Sequence, residues 1–218
     1  MKIKDIMTYN VVTIPSNTSI ADAKRIMATH RIKRLPVVDK GKLVGIITER
    51  AIERTSPGKA TSLSIWELTY LLEKTPVKQI MHKDVITVDP DMDAEEAVAL
   101  AQKHKVGSVV VVEDDKVVGI ASKDDFFYNI INPILGINVP GTRIEITGGV
   151  LTSKGAGQLE NMIATIHRFG YKIDTIHIEG PQQQEVRDVC FHIIGGEDVN
   201  KLVTELEKQG YKVRIRNR

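Results

Sequence analysis

Two stretches of the chain decide its fold: RLPVVDKGKLVGIIT at residues 34–48 and SVVVVEDDKVVGIAS at residues 108–122. They lie 74 residues apart. The same shift, without a gap, places Ile6-Met7 on Ile80-Met81 and the Val-Gly-Ile at 44–46 on the Val-Gly-Ile at 118–120. A single register kept over this length indicates a tandem duplication.

Each copy predicts the element order β-α-β-β-α. In copy one, a strand at Val11–Ile14 precedes Pro15, and Ser19 stands where the N-cap of the first helix belongs. Two short apolar strands then enclose a tight turn, Lys40-Gly41-Lys42 in copy one and Asp114-Asp115-Lys116 in copy two. A second helix follows each hairpin. A unit of about 50 residues buries its own core poorly, so the two copies should pack together around a pseudo-twofold axis.

The segments outside the repeat predict a linker helix and a third domain. Apolar residues at helical spacing over Leu63–Glu73 predict the helix. After Asn132-Pro133 the pattern becomes β-α-β-β-α-β, typical of one antiparallel sheet with two helices. The predicted boundaries are 1–58 for copy one, 59–75 for the linker helix, 76–135 for copy two, 136–142 for a linker and 143–218 for the third domain.

Composition excludes several classes of protein. The chain has 218 residues, 42% of them hydrophobic and 27% charged, which is ordinary for a folded protein. Its net charge of +2 gives no field suited to nucleic acid. The beginning of the chain lacks the apolar core of a signal peptide, and no apolar run approaches the length of a membrane span. One cysteine, Cys190, cannot form an internal disulfide, so we expect a soluble protein of the reducing cytoplasm.

The residues around each hairpin carry a resemblance to a known family. Residues 34–39 before the first turn and Gly45-Ile46-Ile47-Thr48 after it resemble a CBS domain, and the two copies resemble the pair called a Bateman module. The third domain, whose first helix opens with Gly157-Gln158-Leu159, is similar to an ACT domain. The order CBS-CBS-ACT, with residues 60–68, resembles the AcuB family of acetoin-utilisation proteins. The resemblance implies an α/β (α+β) fold: a pseudo-twofold CBS pair plus a ferredoxin-like βαββαβ domain.

The same resemblance implies an adenine nucleotide, or an S-adenosyl compound, in the cleft between the copies. Copy two carries the complete pattern Gly-x-x-Ser-x-x-Asp, from Gly119 to Asp125. Asp125 would accept hydrogen bonds from both ribose hydroxyls, and Ser122 would meet phosphate or ribose, with Asp124 beside them. A carboxylate at the start of a helix can accept hydrogen bonds from both hydroxyls of a vicinal diol. The unpaired backbone N–H groups at the same helix start favour anionic groups such as phosphate. In copy one, Ala51 stands where this carboxylate would be.

The basic residues show the opposite asymmetry. Lys33 and Arg34 precede the apolar strand in copy one, whereas Gly107 and Ser108 take those positions in copy two. The resemblance implies that the phosphates of a nucleotide held by Asp125 would face these two cations of the other copy, which would fix them by charge-assisted hydrogen bonds. The reverse cleft would lack both polar anchors, so we expect one competent nucleotide site. The residues expected to contact the adenine are Val11, Val12 and Ile120.

Simpler explanations of these residues stay open. Asp125 could serve only as a helix cap, and Lys33-Arg34 only as a solvated helix end. The chain would then be a dimerising scaffold with a vestigial CBS pair. A nucleotide hydrolase is the third alternative, although no nucleophile–base pair emerges. The leading hypothesis is a non-enzymatic regulatory protein that needs no cofactor, forms a homodimer and acts on an enzyme partner.

The third domain offers weaker signals. Gly157 and Leu159 stand where an ACT domain would hold an amino acid, but Ala156 replaces the usual proline before the glycine. His177 and His192 are expected to be neighbours across the sheet, and Cys190 is expected to be a packing residue. Because no Asp, Glu or Cys cluster has ligand spacing in the sequence, no metal site is predicted.

Overall fold

The structure is a computed structural model, and it describes residues 1–55, 64–137, 139–147, 156–180 and 187–216. The chain divides into two compact units, Met1–Phe126 and Phe127–Arg218. In the described part of the chain, no helix combines the length and apolar character needed to cross a membrane.

The first unit contains both copies of the repeat. Its elements are β1 (Thr8–Tyr9), α1 (Ile20–His30), β2 (Arg34–Asp39), β3 (Lys42–Thr48), α2 (Glu49–Thr55), α3 (Ile65–Lys74), β4 (Thr87–Val88), α4 (Ala94–Lys103), β5 (Ser108–Glu113), β6 (Lys116–Ser122) and α5 (Lys123–Phe126). One sheet has the order β1-β6-β5-β4, and β2 pairs with β3 in the other.

The two hairpins confirm the predicted duplication in detail. Lys40 and Gly41 both have positive φ, as do Asp114 and Asp115, so each pair of strands is joined by a turn that matches strand twist. A β-bulge follows Val37 in one hairpin and Val111, its equivalent 74 residues on, in the other. Equal bulges at equivalent positions give both copies the same strand curvature.

The residues that repeat most clearly are those through which the copies hold each other. An added Cβ at Gly119 would overlap the sulfur of Met7, and one at Gly45 would lie 2.6 Å from the sulfur of Met81. Thr8 also pairs with Ile120 in the antiparallel β1–β6 ladder. Each Ile-Met segment therefore packs on the glycine of the other copy, which only a residue without a side chain permits.

The strand predicted at Val11–Ile14 is wrong except at its last residue. Ile14 forms a single parallel bridge with Val37, and its N–H donates to the Pro36 carbonyl. The preceding Asn10 has a left-handed φ of 52°, which turns the chain away from the sheet before it can pair. The paired strand of this region is β1, three residues earlier.

The segment predicted as a linker helix contains helix α3. Helix α3 begins after Ser64, which forms a reciprocal capping box with Glu67. Its Trp66 is 85% exposed and Tyr70 is 60% exposed. Leu72 alone among the apolar residues described in this helix packs against the core of copy one. Leu63 lies outside the described residues.

The second unit has the predicted order β-α-β-β-α-β. Its elements are β7 (Thr142–Thr147), α7 (Ala156–Arg168), β8 (Tyr171–Glu179), β9 (Asp188–Gly195), α8 (Val199–Lys208) and β10 (Lys212–Arg216), preceded by a π-helical turn (Phe127–Ile131) and a short helix, α6 (Asn132–Ile134). All neighbours in the sheet β10-β7-β9-β8 are antiparallel. Its core lies between the sheet and the helices, around Phe191, Ile166 and Leu202.

Candidate functional site

A cleft of about 340 Å³ lies between the two copies of the first unit. Residues from both copies line it, and we call it the first cleft. The structure brings together here all eight residues that the sequence assigned to a nucleotide: Val11, Val12, Lys33, Arg34, Ile120, Ser122, Asp124 and Asp125.

The acidic side of the first cleft is built at the junction of β6 and α5. Asp125 accepts hydrogen bonds from the Ser122 backbone N–H (2.7 Å) and from the Ser122 hydroxyl (2.6 Å), both on Oδ2. Oδ1 receives only a long bond, 3.4 Å, from the hydroxyl of Thr8. Asp125 is thus a helix-capping residue, and one carboxylate oxygen keeps most of its accepting capacity for a ligand hydroxyl.

The basic side comes from the start of β2. Helix α1 ends at His30, and the left-handed φ of 54° at its C-cap residue, Arg31, turns the chain towards the strand. Lys33 and Arg34 follow immediately. Within the described residues, neither of them lies within 4.0 Å of a carboxylate oxygen. Their charge therefore remains available to an anionic ligand.

The apolar wall consists of half-buried aliphatic side chains. Val11 and Val12 come from the segment after Asn10, and Ile120 comes from β6. Sequence reasoning did not assign Thr8 or Asn10 to the site, although both line the cleft. The sequence contains an indication of the role of Thr8, because this residue directly follows the repeated Ile-Met segment.

A second, larger cleft of about 750 Å³ is also lined by residues of both copies, and we call it the second cleft. As expected, the copy-one helix has no carboxylate cap: the Thr48 hydroxyl accepts from the Ala51 N–H at 3.2 Å. The sequence predicts that two motif anchors are missing here, with Ala51 in place of a carboxylate and Gly107-Ser108 in place of cations, but the cleft has positive charge from other positions. Arg50, Lys83 and other cations line it, and the sequence comparison had considered only the two motif positions.

The second unit contains a polar cluster that sequence reasoning did not find. His177 Nε2, Glu179 Oε1 and Cys190 Sγ lie within 4.8 Å of one another on β8 and β9. One terminal nitrogen of Arg143 contacts all three: 3.0 Å to His177, 3.4 Å to Cys190, and an ion pair with Glu179. The sequence predicts no cluster of side chains with the spacing of metal ligands, and this prediction is wrong. However, the guanidinium of Arg143 occupies the centre of the cluster.

The electrostatics of this cluster follow from its burial. Burial raises the pKa of the Cys190 thiol, more than Arg143 lowers it. Burial opposes a low pKa at Glu179, yet the hydrogen bond from His177 and the charge of Arg143 bring that pKa below its usual value. Cys190 is fully buried, which agrees with its predicted packing role.

Other predictions for the second unit have mixed outcomes. His177 lies opposite Cys190, and His192 lies opposite Thr175, so the two histidines are not a cross-strand pair. Leu159 packs against the core of the unit. The backbone of Gly157 lies in the first turn of α7, and the preceding loop, with residues 148–155, lies outside the described residues. An amino-acid site there stays a prediction.

Comparison with known proteins adds independent information. The family model described as "CBS domain" matches residues 3–57 and 77–132. The CBS domain-containing protein YhcV of Bacillus subtilis is 30% identical over 129 residues, which cover 58% of this chain and 84% of YhcV. Other curated relatives are longer, and the match takes in less than half of their length.

Two solved structures each cover 61% of the chain. A candidate acetoin utilization protein (AcuB) from Vibrio cholerae is 33% identical, with a TM-score of 0.50 over 61% of this chain and 91% of that one. The CBS domain pair of protein MJ0100, solved in complex with 5′-methylthioadenosine and S-adenosyl-L-methionine, is 31% identical, with a TM-score of 0.50 over 61% and 97%. The duplicated hairpins, the cross-copy packing and these matches agree: the chain belongs to the CBS-domain family.

Proposed function

We propose that this chain is a regulatory protein without enzymatic activity and that it binds one adenosine-containing ligand in the first cleft. One observation carries the proposal. A carboxylate from copy two and two cations from copy one line one cleft whose wall is aliphatic, and no described carboxylate oxygen lies within 4.0 Å of the side-chain nitrogens of those cations. This arrangement offers a separate partner to the ribose, the phosphates and the base.

The chemistry of each contact supports this assignment. Oδ1 of Asp125 is held only by the long bond from Thr8, so a ribose hydroxyl can replace that bond with a shorter one. Lys33 and Arg34 suit phosphate oxygens, and the guanidinium can bind two of them at once. The flat aliphatic surface of Val11, Val12 and Ile120 suits a purine. The MJ0100 pair, with its adenosine-containing ligands, supports the same class of ligand here.

The test is isothermal titration calorimetry of the full chain with AMP, ADP, ATP and S-adenosylmethionine. We expect saturation near one ligand per chain. Asp125→Asn keeps the shape of the side chain and removes its charge, so affinity should fall by about 10- to 100-fold. Asp114→Asn is the matched control: it makes the same charge change on an exposed turn outside the cleft, and it should leave affinity unchanged.

Other results would support the alternatives. Equal binding by the wild type and Asp125→Asn would overturn the site assignment. No heat with any of the four ligands would favour the dimerising scaffold. Product formation from ATP with Mg²⁺, absent in Asp125→Asn, would make the protein a nucleotide hydrolase.

We further propose that the second unit acts as an ACT-like domain, for dimerisation or small-molecule binding, in a cytoplasmic homodimer. Its strand order and two helices support an ACT-type architecture, and the similarity to the Vibrio cholerae protein supports a role connected with acetoin or carbon metabolism. Light scattering of the full chain tests the assembly, and a monomer mass would refute it.

A further inference from the structure

The second cleft differs from the first in both charge and size. Seven cationic and three acidic residues line it, whereas three cationic and two acidic residues line the first cleft. Two of the seven, Lys33 and Arg34, line both clefts. The five that belong to the second cleft alone are Arg50, Arg54, Lys83, Lys105 and Lys123.

The three acidic residues of the lining offset only part of this positive charge, and none of them forms an ion pair with the cations. In the described ranges of the chain, none of the seven cations has a side-chain nitrogen within 4.0 Å of a carboxylate oxygen. Like charges held around one concave surface repel one another, and an anion bound among them removes that repulsion. Because the cations surround a cleft of about 750 Å³, one compact anion can contact several at once.

We propose that the second cleft binds a short linear polyphosphate chain, and that it recognises the phosphates without a nucleoside. The position that holds Asp125 in the first cleft is Ala51 here, so a ribose diol has no capping carboxylate to bind. Ile46, Val85 and Ile86 line this cleft as Ile120, Val11 and Val12 line the first. The two clefts therefore differ in the missing carboxylate and the added cations, and both differences favour a polyanion over a nucleoside.

Arg34 links the second cleft to the first. Its terminal nitrogen lies 2.7 Å from the position that a Cβ on Gly107 would take, so the guanidinium rests against the copy-two backbone beside the second cleft. A polyphosphate that engages Arg34 there withdraws it from the phosphates of a ligand in the first cleft. This coupling rests on the proposed function, whereas the polyphosphate site itself does not.

The direct test is calorimetric titration of the full chain with sodium tripolyphosphate at low ionic strength. We expect one tripolyphosphate per chain, with a Kd below about 100 μM that weakens as salt is added. Lys83→Ala and Lys105→Ala should each reduce affinity by about three- to tenfold. Lys103→Ala is the matched control, because this exposed lysine lies two residues from Lys105 and outside the cleft lining.

The Asp125→Asn variant separates this site from the first cleft. Tripolyphosphate should bind this variant as it binds the wild type, whatever the outcome of the nucleotide titrations. Loss of tripolyphosphate binding in Asp125→Asn, no heat with the wild type, or an equal loss in Lys103→Ala would each overturn the proposal. An oligonucleotide that displaces tripolyphosphate at equal phosphate concentration would reassign the cleft to nucleic acid.

The coupling has its own readout. Tripolyphosphate should weaken the binding of AMP in the first cleft, because both need Arg34. It should leave the binding of 5′-methylthioadenosine, which carries no phosphate, unchanged. An equal effect on both ligands would overturn the role given to Arg34 while leaving the polyphosphate site intact.

Discussion

Replacing Gly119 with alanine tests whether the two copies hold each other through the repeated residues. The new Cβ would overlap the Met7 sulfur and lie 3.0 Å from its Cγ and 3.1 Å from its Cε. Three successive atoms of one side chain are thus too close, so rotation of the side-chain tip cannot relieve the overlap. Met7 is only 8% exposed and must be pushed out of a packed position. Overpacking of this kind costs about 1–3 kcal/mol in the free energy of unfolding.

Urea denaturation followed by far-UV circular dichroism measures this cost. The single tryptophan, Trp66, is 85% exposed on α3, so its fluorescence is a poor reporter of unfolding. With a denaturant slope of about 1–3 kcal/mol/M, the midpoint should fall by roughly 1 M. Gly107→Ala is the control: only the mobile end of Arg34 must move, so the change in stability should stay within about 0.5 kcal/mol.

A double-mutant cycle makes the reasoning falsifiable. Met7→Ala alone should cost about 2–5 kcal/mol, because it leaves a cavity. Adding Gly119→Ala to that variant should cost nothing further, since the clashing side chain is gone. If Gly119→Ala is as stable as the wild type, or if its cost is the same with and without Met7, the packing of Met7 on Gly119 does not hold the copies together.

Two further predictions concern the second unit. The pKa of Glu179 is lowered in the folded state, so its ion pair with Arg143 stabilises the fold above the ordinary pKa and is lost as the pH falls through the folded value. Glu179→Gln should therefore cost about 1–2 kcal/mol at pH 7 and progressively less towards pH 3, and a constant difference in urea midpoints would contradict this. The Cys190 thiol is buried with a raised pKa, so it should react with a disulfide reagent roughly two orders of magnitude more slowly in the native protein than in denaturant, and equal rates would refute its burial.

The sequence predicted the repeat unit well because the duplication supplies an internal comparison. A constant shift of 74 residues identifies equivalent positions without reference to another protein, and it matches both the turns and the bulges that the structure contains. The prediction failed at Val11–Ile14, where the apolar run alone favoured a strand. The left-handed Asn10 that ends pairing there is a local backbone feature with only a weak sequence signal.

The cluster around Cys190 could not be predicted from alternation. Tyr171 and Ile173 face the core of the second unit, and strict alternation would place His177 on that same face. A register shift between Ile173 and Thr175 reverses the faces, so that His177 lies opposite Cys190. A one-residue irregularity therefore determines which side chains meet, and hydrophobic periodicity does not contain that information.

The cations of the second cleft were missed for a different reason. Comparison of motif positions asks what replaces Lys33 and Arg34 in copy two, and it finds Gly107 and Ser108. Lys33 and Arg34 themselves also line the second cleft, and its other cations come from positions that this comparison leaves out, such as Arg50, Lys83 and Lys105. Those positions meet only after the two copies have packed, so the charge of the cleft is a tertiary property.

The exchange of short segments between the copies also explains how two similar clefts acquire different chemistry. Thr8 pairs with Ile120 and both line the first cleft, while Ile46 bridges to His82 and both line the second. The backbone pairing beside each cleft is thus equivalent, and the ligand preference of each cleft depends on the side chains that line it. A ligand in either cleft contacts both copies, so it can favour one arrangement of the pair over another. Because Arg34 lies between the two clefts, a ligand in one can change the affinity of the other through a single side chain, without any rearrangement of the fold.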